Sequence, residues 1–286
     1  MRALGVALLF LVSSALAAQQ VEPWCATPRP PREARGWFEG FALESRQIPR
    51  PKATIRIPVA FHVVTDGRNG LVSGQQIATL IQNMNWAYRD TPFSFYLYRA
   101  DSVKNGAWYS NCVLNTVNMQ KLRKRMARDV RYYVNVYSCK LGSPTLYGIS
   151  TFPPGYPLPN PGNTYLQGIA VDPIALGSDQ FPYGLALAHE MGHYLGLLHT
   201  FETIFNDGQA ECADPGDLVA DTPAQAGNTF GACPVGRDSC PALPGADDIP
   251  NLMNYATDEC WDHFTPGQAS LMLYALQHFR PTLGTR

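Results

Sequence analysis

The stretch His189-Glu190-Met191-Gly192-His193-Tyr194-Leu195-Gly196-Leu197-Leu198-His199 constrains this chain more tightly than any other. Residues four apart share one face of a helix, so His189 and His193 present their imidazoles from adjacent turns. Gly196 then allows a left-handed exit from the helix, which redirects the backbone so that His199 approaches the same point. Three imidazole nitrogens suit one zinc ion and leave a fourth position open to water. Glu190 projects beside that position, where a carboxylate takes a proton from the water and later hands it to a leaving amine. The segment therefore predicts peptide-bond hydrolysis without a covalent intermediate.

The rest of the chain is consistent with an exported globular enzyme. At 286 residues and 45% hydrophobic content it can bury a sizeable core, in one large domain or two moderate ones. The formal net charge of -1 leaves no basic field for phosphate backbones or anionic lipid, so nucleic acid is excluded as an expected partner. Arg2, the apolar run 3–12 and the small residues Ala15-Leu16-Ala17-Ala18 have the layout of a secretory signal. The run is shorter than the roughly 20 apolar residues that a bilayer-spanning helix needs. Residues 1–18 are thus expected to be a removed signal peptide, and the protein to be secreted with no membrane anchor. No Asn-x-Ser/Thr acceptor occurs, so no N-linked glycan is expected.

Residues 19–52 are rich in Pro and Arg, with little apparent apolar periodicity, and read as a propeptide or linker. From residue 53 the pattern becomes that of a folded catalytic domain running to residue 286. Ile55, Ile57, Val59, Phe61 and Val63 alternate as a strand; Ser73 opens a helix through Ile77, Ile81, Met84 and Tyr88; Phe93, Phe95 and Leu97 return to alternation. A basic helical segment at 118–128, with Lys121, Arg123, Lys124 and Arg125 as a solvated face, precedes the strand-like run 132–137. Residues 168–171 read as an edge strand, and 200–251 as irregular chain. Thr265, Pro266 and Gln268 start a C-terminal helix with a cap, a first-turn proline and a capping-box glutamine. His62, His263 and His278 stand apart from the motif and read as structural or surface histidines.

Taken together, the motif through Phe201, the later Asp217-Leu-Val-Ala-Asp221-Thr222-Pro223 and Asn251-Leu-Met253-Asn-Tyr255, and Cys260 resemble the pappalysin family of metzincin zinc peptidases, in its short secreted form. The resemblance runs from about Ile57 to the C-terminal helix. It implies an α+β fold with two subdomains: a twisted mixed sheet with helices above an irregular, disulfide-tied lower part, and substrate in the cleft between them. It makes Met253 the Met-turn beneath the metal, and Tyr255 a hydroxyl placed to donate to a developing oxyanion. Structural calcium is implied near Asp217, Asp221 and Thr222, although acids in such loops also serve as turn caps.

The resemblance also implies the disulfides Cys212–Cys240 and Cys233–Cys260. Seven cysteines in an oxidising compartment leave one over. If Cys112 pairs with Cys139, Cys25 is the free thiol. The run Trp24-Cys25-Ala26-Thr27-Pro28 resembles a Cys-Gly-Thr-Pro stretch in propeptides of short relatives, with Ala26 in place of glycine. It implies a cysteine switch in which the thiolate takes the metal's open position; a disulfide from Cys25 to Cys112 or Cys139 is the alternative. Protein or peptide substrates are the expected partners. Two other readings stand beside the peptidase: an inactive scaffold that binds through the same cleft, against which the intact Glu190 argues, and a zinc hydrolase of another bond type.

Overall fold

The computed structural model describes residues 24–28, 31–49, 51, 53–113, 116–157, 162, 164–202, 212, 216–229 and 231–285. The signal segment 1–18 lies outside these residues. Strands β1 (Ile55–Thr65), β2 (Phe93–Lys104), β3 (Val134–Ser138), β4 (Gly148–Ser150) and β5 (Ile169–Val171) form one sheet in the order β2-β1-β3-β5-β4. All neighbours are parallel except β4, which runs antiparallel to β5. Side chains alternate across the sheet. Ile57, Val59, Phe61, Val134 and Val136 enter the main core, whereas Val64, Tyr137 and Cys139 enter a second core on the other face.

Helix α2 (Gly74–Ala87) covers the main-core face, held at its start by a capping box between Ser73 and Gln76. Helices α3 (Gly106–Ser110) and α4 (Val117–Met126) pack over the other face, where Cys112 is bonded to Cys139. The expected solvated basic face of α4 is only partly present, because Arg123 is fully buried beside Tyr137 while Lys121, Lys124 and Arg125 remain exposed. Its guanidinium donates to the Leu166 carbonyl and to Met119 Sδ, with no carboxylate among its hydrogen-bond partners in the described residues. Burial holds its pKa down at about 10, so it stays charged at neutral pH. Helical spacing alone does not reveal such a residue.

Two further expectations need correction. The run at 169–171 is an interior strand, because β4 lies outside it and forms the sheet edge. Three residues inside a Gly- and Pro-rich loop carry too little alternation to be found by pattern. In addition, residues 35–45 are not an unpatterned linker: they form helix α1 (Arg35–Ser45), which lays Phe38, Phe41 and Ala42 against the main core. Ala34, Phe38, Phe41, Ala42 and Ser45 are buried at helical spacing, a period hidden by the surrounding Pro and Arg. Trp37 and Phe41 stack on each other and meet Tyr156, and Phe41 also meets Tyr274 and Phe279 of helix α6 (Pro266–Phe279).

Below the sheet lies helix α5 (Ala186–Tyr194), all of whose residues are buried. The described chain from 216 to 264 is irregular and is tied by Cys212–Cys240 and Cys233–Cys260. Helix α6 closes the fold with the Thr265–Gln268 capping box.

Candidate metal centre

Helix α5 ends as its sequence requires. Gly196 has φ +106°, its N–H donates to the His193 carbonyl, and the Leu197 N–H donates to the Gly192 carbonyl. These are the two bonds of a Schellman ending. A Cβ at Gly196 would also lie 2.2 Å from the Tyr156 hydroxyl. The chain leaves the helix here and returns His199 to the face that carries His189 and His193, with imidazole centroids 4.5 Å (His193–His199) and 5.3 Å (His189–His199) apart.

The start of α5 is held from a distance. Leu185, the residue before the helix, has no side-chain cap of its own. Asp258 instead accepts the N–H groups of Tyr183, Gly184 and Leu185 at 2.6, 3.0 and 2.8 Å. A carboxylate at a helix N-terminus is favoured by the exposed N–H groups and the helix dipole.

The three histidines are buried, and two of them are oriented by backbone carbonyls. His189 Nδ1–H donates to Leu252 O at 2.6 Å, and His193 Nδ1–H donates to Leu197 O at 2.8 Å, which leaves each Nε2 as the free lone pair. Nε2 of His189 is buried and has no hydrogen-bond partner among the described residues, and Nε2 of His193 faces Nε2 of His199 at 3.0 Å. Ligand nitrogens of a tetrahedral zinc site lie about 3.3 Å apart, so the set fits that ion. Burial pushes His189 down to about 4, and burial with the neighbouring imidazoles lowers His193, so both are neutral as ligation requires. Trp261 stacks on His189 and Phe201 on His199.

Among the described residues, the one cluster of three or more potential ligands is Cys25, His189, His193 and His199, whose ligand atoms all lie within 4.8 Å of one another. Cys25 is a free, buried thiol, which rules out the alternative of a disulfide to Cys112 or Cys139. Burial, with the Glu190 carboxylate beside it, raises its pKa well above the usual thiol range. Residues 24–28 run beside β4: the Trp24 carbonyl accepts from Tyr147 and Gly148 N–H, and Ala26 N–H donates to Gly148 O.

Glu190 lies under this strand. Its carboxylate accepts from the Thr27 hydroxyl at 3.1 Å, and burial pushes it up to about 8, opposed by its bonds to Cys25 and Thr27. Gly148 makes room for it, since a Cβ there would lie 2.2 Å from Glu190 Oε1. Met253 sits under α5 at Gly192, where a Cβ would meet its sulfur at 2.4 Å. The Tyr255 ring stands edge-on to His199, and its hydroxyl donates to the Cys25 carbonyl at 3.3 Å. Thr27, Gly148, Asp258 and Trp261 were not apparent as site residues from the sequence, because each reaches the centre through a contact remote in the chain.

The acids near 217–222 accept hydrogen bonds from nearby backbone and side-chain groups. Asp221 accepts from the Thr265 hydroxyl and the Gly267 N–H at the start of α6, while Asp217 accepts from Val219 N–H and Gln268 Nε2. His62 is remote from the centre, bonded to Asp101 and Asn135. His263 pairs with Asp248, and His278 Nδ1 bonds to the Tyr274 carbonyl.

Comparison with known proteins agrees with this geometry. The Pregnancy-associated plasma protein-A peptidase family matches residues 117–277. An extracellular metalloprotease of Arthroderma gypseum is 33% identical over 223 residues, covering 77% of this chain and 72% of the relative. One of Colletotrichum graminicola is 31% identical over 292 residues, covering 97% and 98%. In fold, the chain is similar to Tannerella forsythia promirolysin, with TM-score 0.68 at 23% identity over 88% of this chain and 91% of that one. It is similar also to mature mirolysin in complex with a cleaved peptide, with TM-score 0.63 at 24% identity over 82% and 96%. The described structure, a mostly parallel sheet over a disulfide-tied lower part, is that of a metzincin, and the chain belongs to the pappalysin family of zinc-dependent metalloendopeptidases.

Proposed function

We propose that the protein is a secreted endopeptidase, made as a latent precursor, that cleaves extracellular proteins or peptides with Glu190 as its proton-transfer group. The observation that carries this reading is the convergence of three imidazoles, two of them neutral and oriented by backbone carbonyls, beside a buried carboxylate. His189, His193 and His199 would hold zinc, which when bound supplies Lewis acidity to a water and to the substrate carbonyl. Glu190 takes the proton from the attacking water and delivers it to the leaving nitrogen. Tyr255, whose hydroxyl already donates to a main-chain carbonyl at this point, donates to the carbonyl oxygen as it gains charge. Met253 supports the helix from below.

Residues 19–52 act as the propeptide in this reading, ahead of a catalytic domain at 53–286 and behind a signal at 1–18. Cys25 would occupy the metal's open position while Thr27 holds Glu190. Cleavage between Arg46 and Arg56, with Arg50 as the favoured point, would release the block; Arg50 lies outside the described residues. A calcium ion at Asp217, Asp221 and Thr222 belongs to the same reading, because burial pushes the Asp217 carboxyl up to about 7 and a cation would relieve that cost.

The test is casein hydrolysis by the processed protein before and after removal of metal with a chelator, followed by zinc readdition. Loss and recovery of cleavage support the reading. A processed, zinc-loaded protein that binds casein without cutting it would establish the scaffold alternative.

A further inference from the structure

Trp24 is the residue next to the thiol at the metal centre, and its indole is enclosed by aromatic rings. Tyr147, Phe181 and Trp261 meet it edge-on, with centroids at 5.4, 5.8 and 6.3 Å, and Tyr255 stacks on it at 6.0 Å. Beyond the six-membered ring stands Gly231, at φ +75°, where a Cβ would lie 2.4 Å from the indole edge. Its N–H donates to the Tyr255 carbonyl, so the end of the box is fixed to the residue after the Met-turn.

Three of the walls are held by contacts that do not involve the indole. Trp261 Nε1–H donates to Asn254 O, the Tyr147 hydroxyl accepts from Gln180, and the Tyr147 and Phe181 rings meet edge-on with centroids 4.6 Å apart. Glu190 is the one charged side chain among the described residues that line this pocket. A lysine or arginine placed here would lose its hydration with no carboxylate to meet it other than the one reserved for proton transfer. A flat aromatic or large aliphatic side chain would bury its area against four rings in offset or edge-on contact.

Resting on the proposed peptidase reading, we infer that this box is the substrate subsite beside the scissile bond and that it selects a large apolar side chain, aromatic above all. The backbone contacts support a shared path. Trp24 is fixed by main-chain bonds to Tyr147 and Gly148 on the sheet-edge segment, which any extended peptide can reproduce whatever its sequence. The precursor's own Trp24 thus stands where a substrate side chain enters after processing. Gly231 sets the depth of the box, since any side chain there takes the space of the six-membered ring.

Two measurements test this. The processed, zinc-loaded protein is given a peptide library randomised at both positions that flank the cleaved bond. Trp, Phe, Tyr or Leu is expected at one of the two at least tenfold above Lys, Arg and Asp. In parallel, a five-residue peptide with the sequence of residues 24–28 is assayed as an inhibitor with its cysteine kept. The change Trp24→Ala should weaken it about 30-fold or more, and Trp24→Lys at least as much. Cleavage with no side-chain preference at either position, or with a basic one, overturns the inference and leaves the peptidase reading intact. Absence of any cleavage overturns both. A Trp24→Lys peptide that inhibits as well as the parent overturns the subsite assignment by itself. Gly231→Ala adds a check on depth: preference should move from Trp toward smaller side chains, and an unchanged Trp preference counts against the box.

Discussion

The Thr27 hydroxyl donates to Glu190 Oε2 at 3.1 Å and accepts the Ser150 N–H at 2.9 Å, so a residue remote in sequence joins the buried carboxylate to the sheet edge. The Glu190 carboxylate is thereby engaged in the same structure in which Cys25 faces the histidines. Replacing the thiol should separate the two restraints. The full-length Cys25→Ala chain is expected to cut casein or to process itself, with Thr27→Val giving a weaker form of the same release. Casein assays on the unprocessed chains check this, and a Cys25→Ala precursor as silent as wild type would show that latency resides elsewhere.

The two halves of the centre should fail differently. Glu190→Gln keeps the ligand set and is expected to lower turnover by about 10²- to 10⁴-fold with zinc content unchanged, because a proton acceptor is lost. His199→Ala leaves two imidazoles from one helix and should lose zinc itself. Metal analysis beside kinetics distinguishes the cases, and full zinc in the His199→Ala protein would remove that residue from the ligand set.

Gly148 lies where a methyl group would strike the carboxylate, 2.2 Å from Glu190 Oε1. Gly148→Ala should displace Glu190, with a fall in kcat of roughly 100-fold, the scale expected of a misplacement near 1 Å. Zinc content should hold. A variant with wild-type kcat would mean that the carboxylate has room to move.

His263 donates to Asp248, and this bond raises the imidazole pKa above its usual value, with burial acting in the opposite sense. A raised folded pKa stabilises the protein in full below the unfolded value near 6.5, and the contribution is lost as pH rises through the folded value. His263→Gln should therefore lower Tm below pH 6.5 by roughly 2–4 °C or less, since a half-exposed pair contributes about 1 kcal/mol at most. The gap should close at higher pH. Thermal melts from pH 5 to 9 measure it, and a gap that widens with pH would reverse the assignment.

The sequence by itself determined the chemistry. His189, Glu190, His193, Gly196 and His199 lie within one helix and its exit, so helical period and the conformational freedom of glycine are enough to place them together, and the strong periods of β1, α2, β2 and α6 are equally local. What only the tertiary structure decided was which distant groups meet that helix. Asp258 caps its start, Leu252 orients His189, Gly148 clears space for Glu190, and four rings remote in the chain from Trp24 enclose it. The same holds for α4, where the fold and not the helical pattern buries Arg123, and for β4, whose three residues become a strand only by pairing with β5. Each of these depends on contacts between residues far apart in the chain, which arise when the sheet and the disulfide-tied loops pack and which no local pattern of residue types encodes.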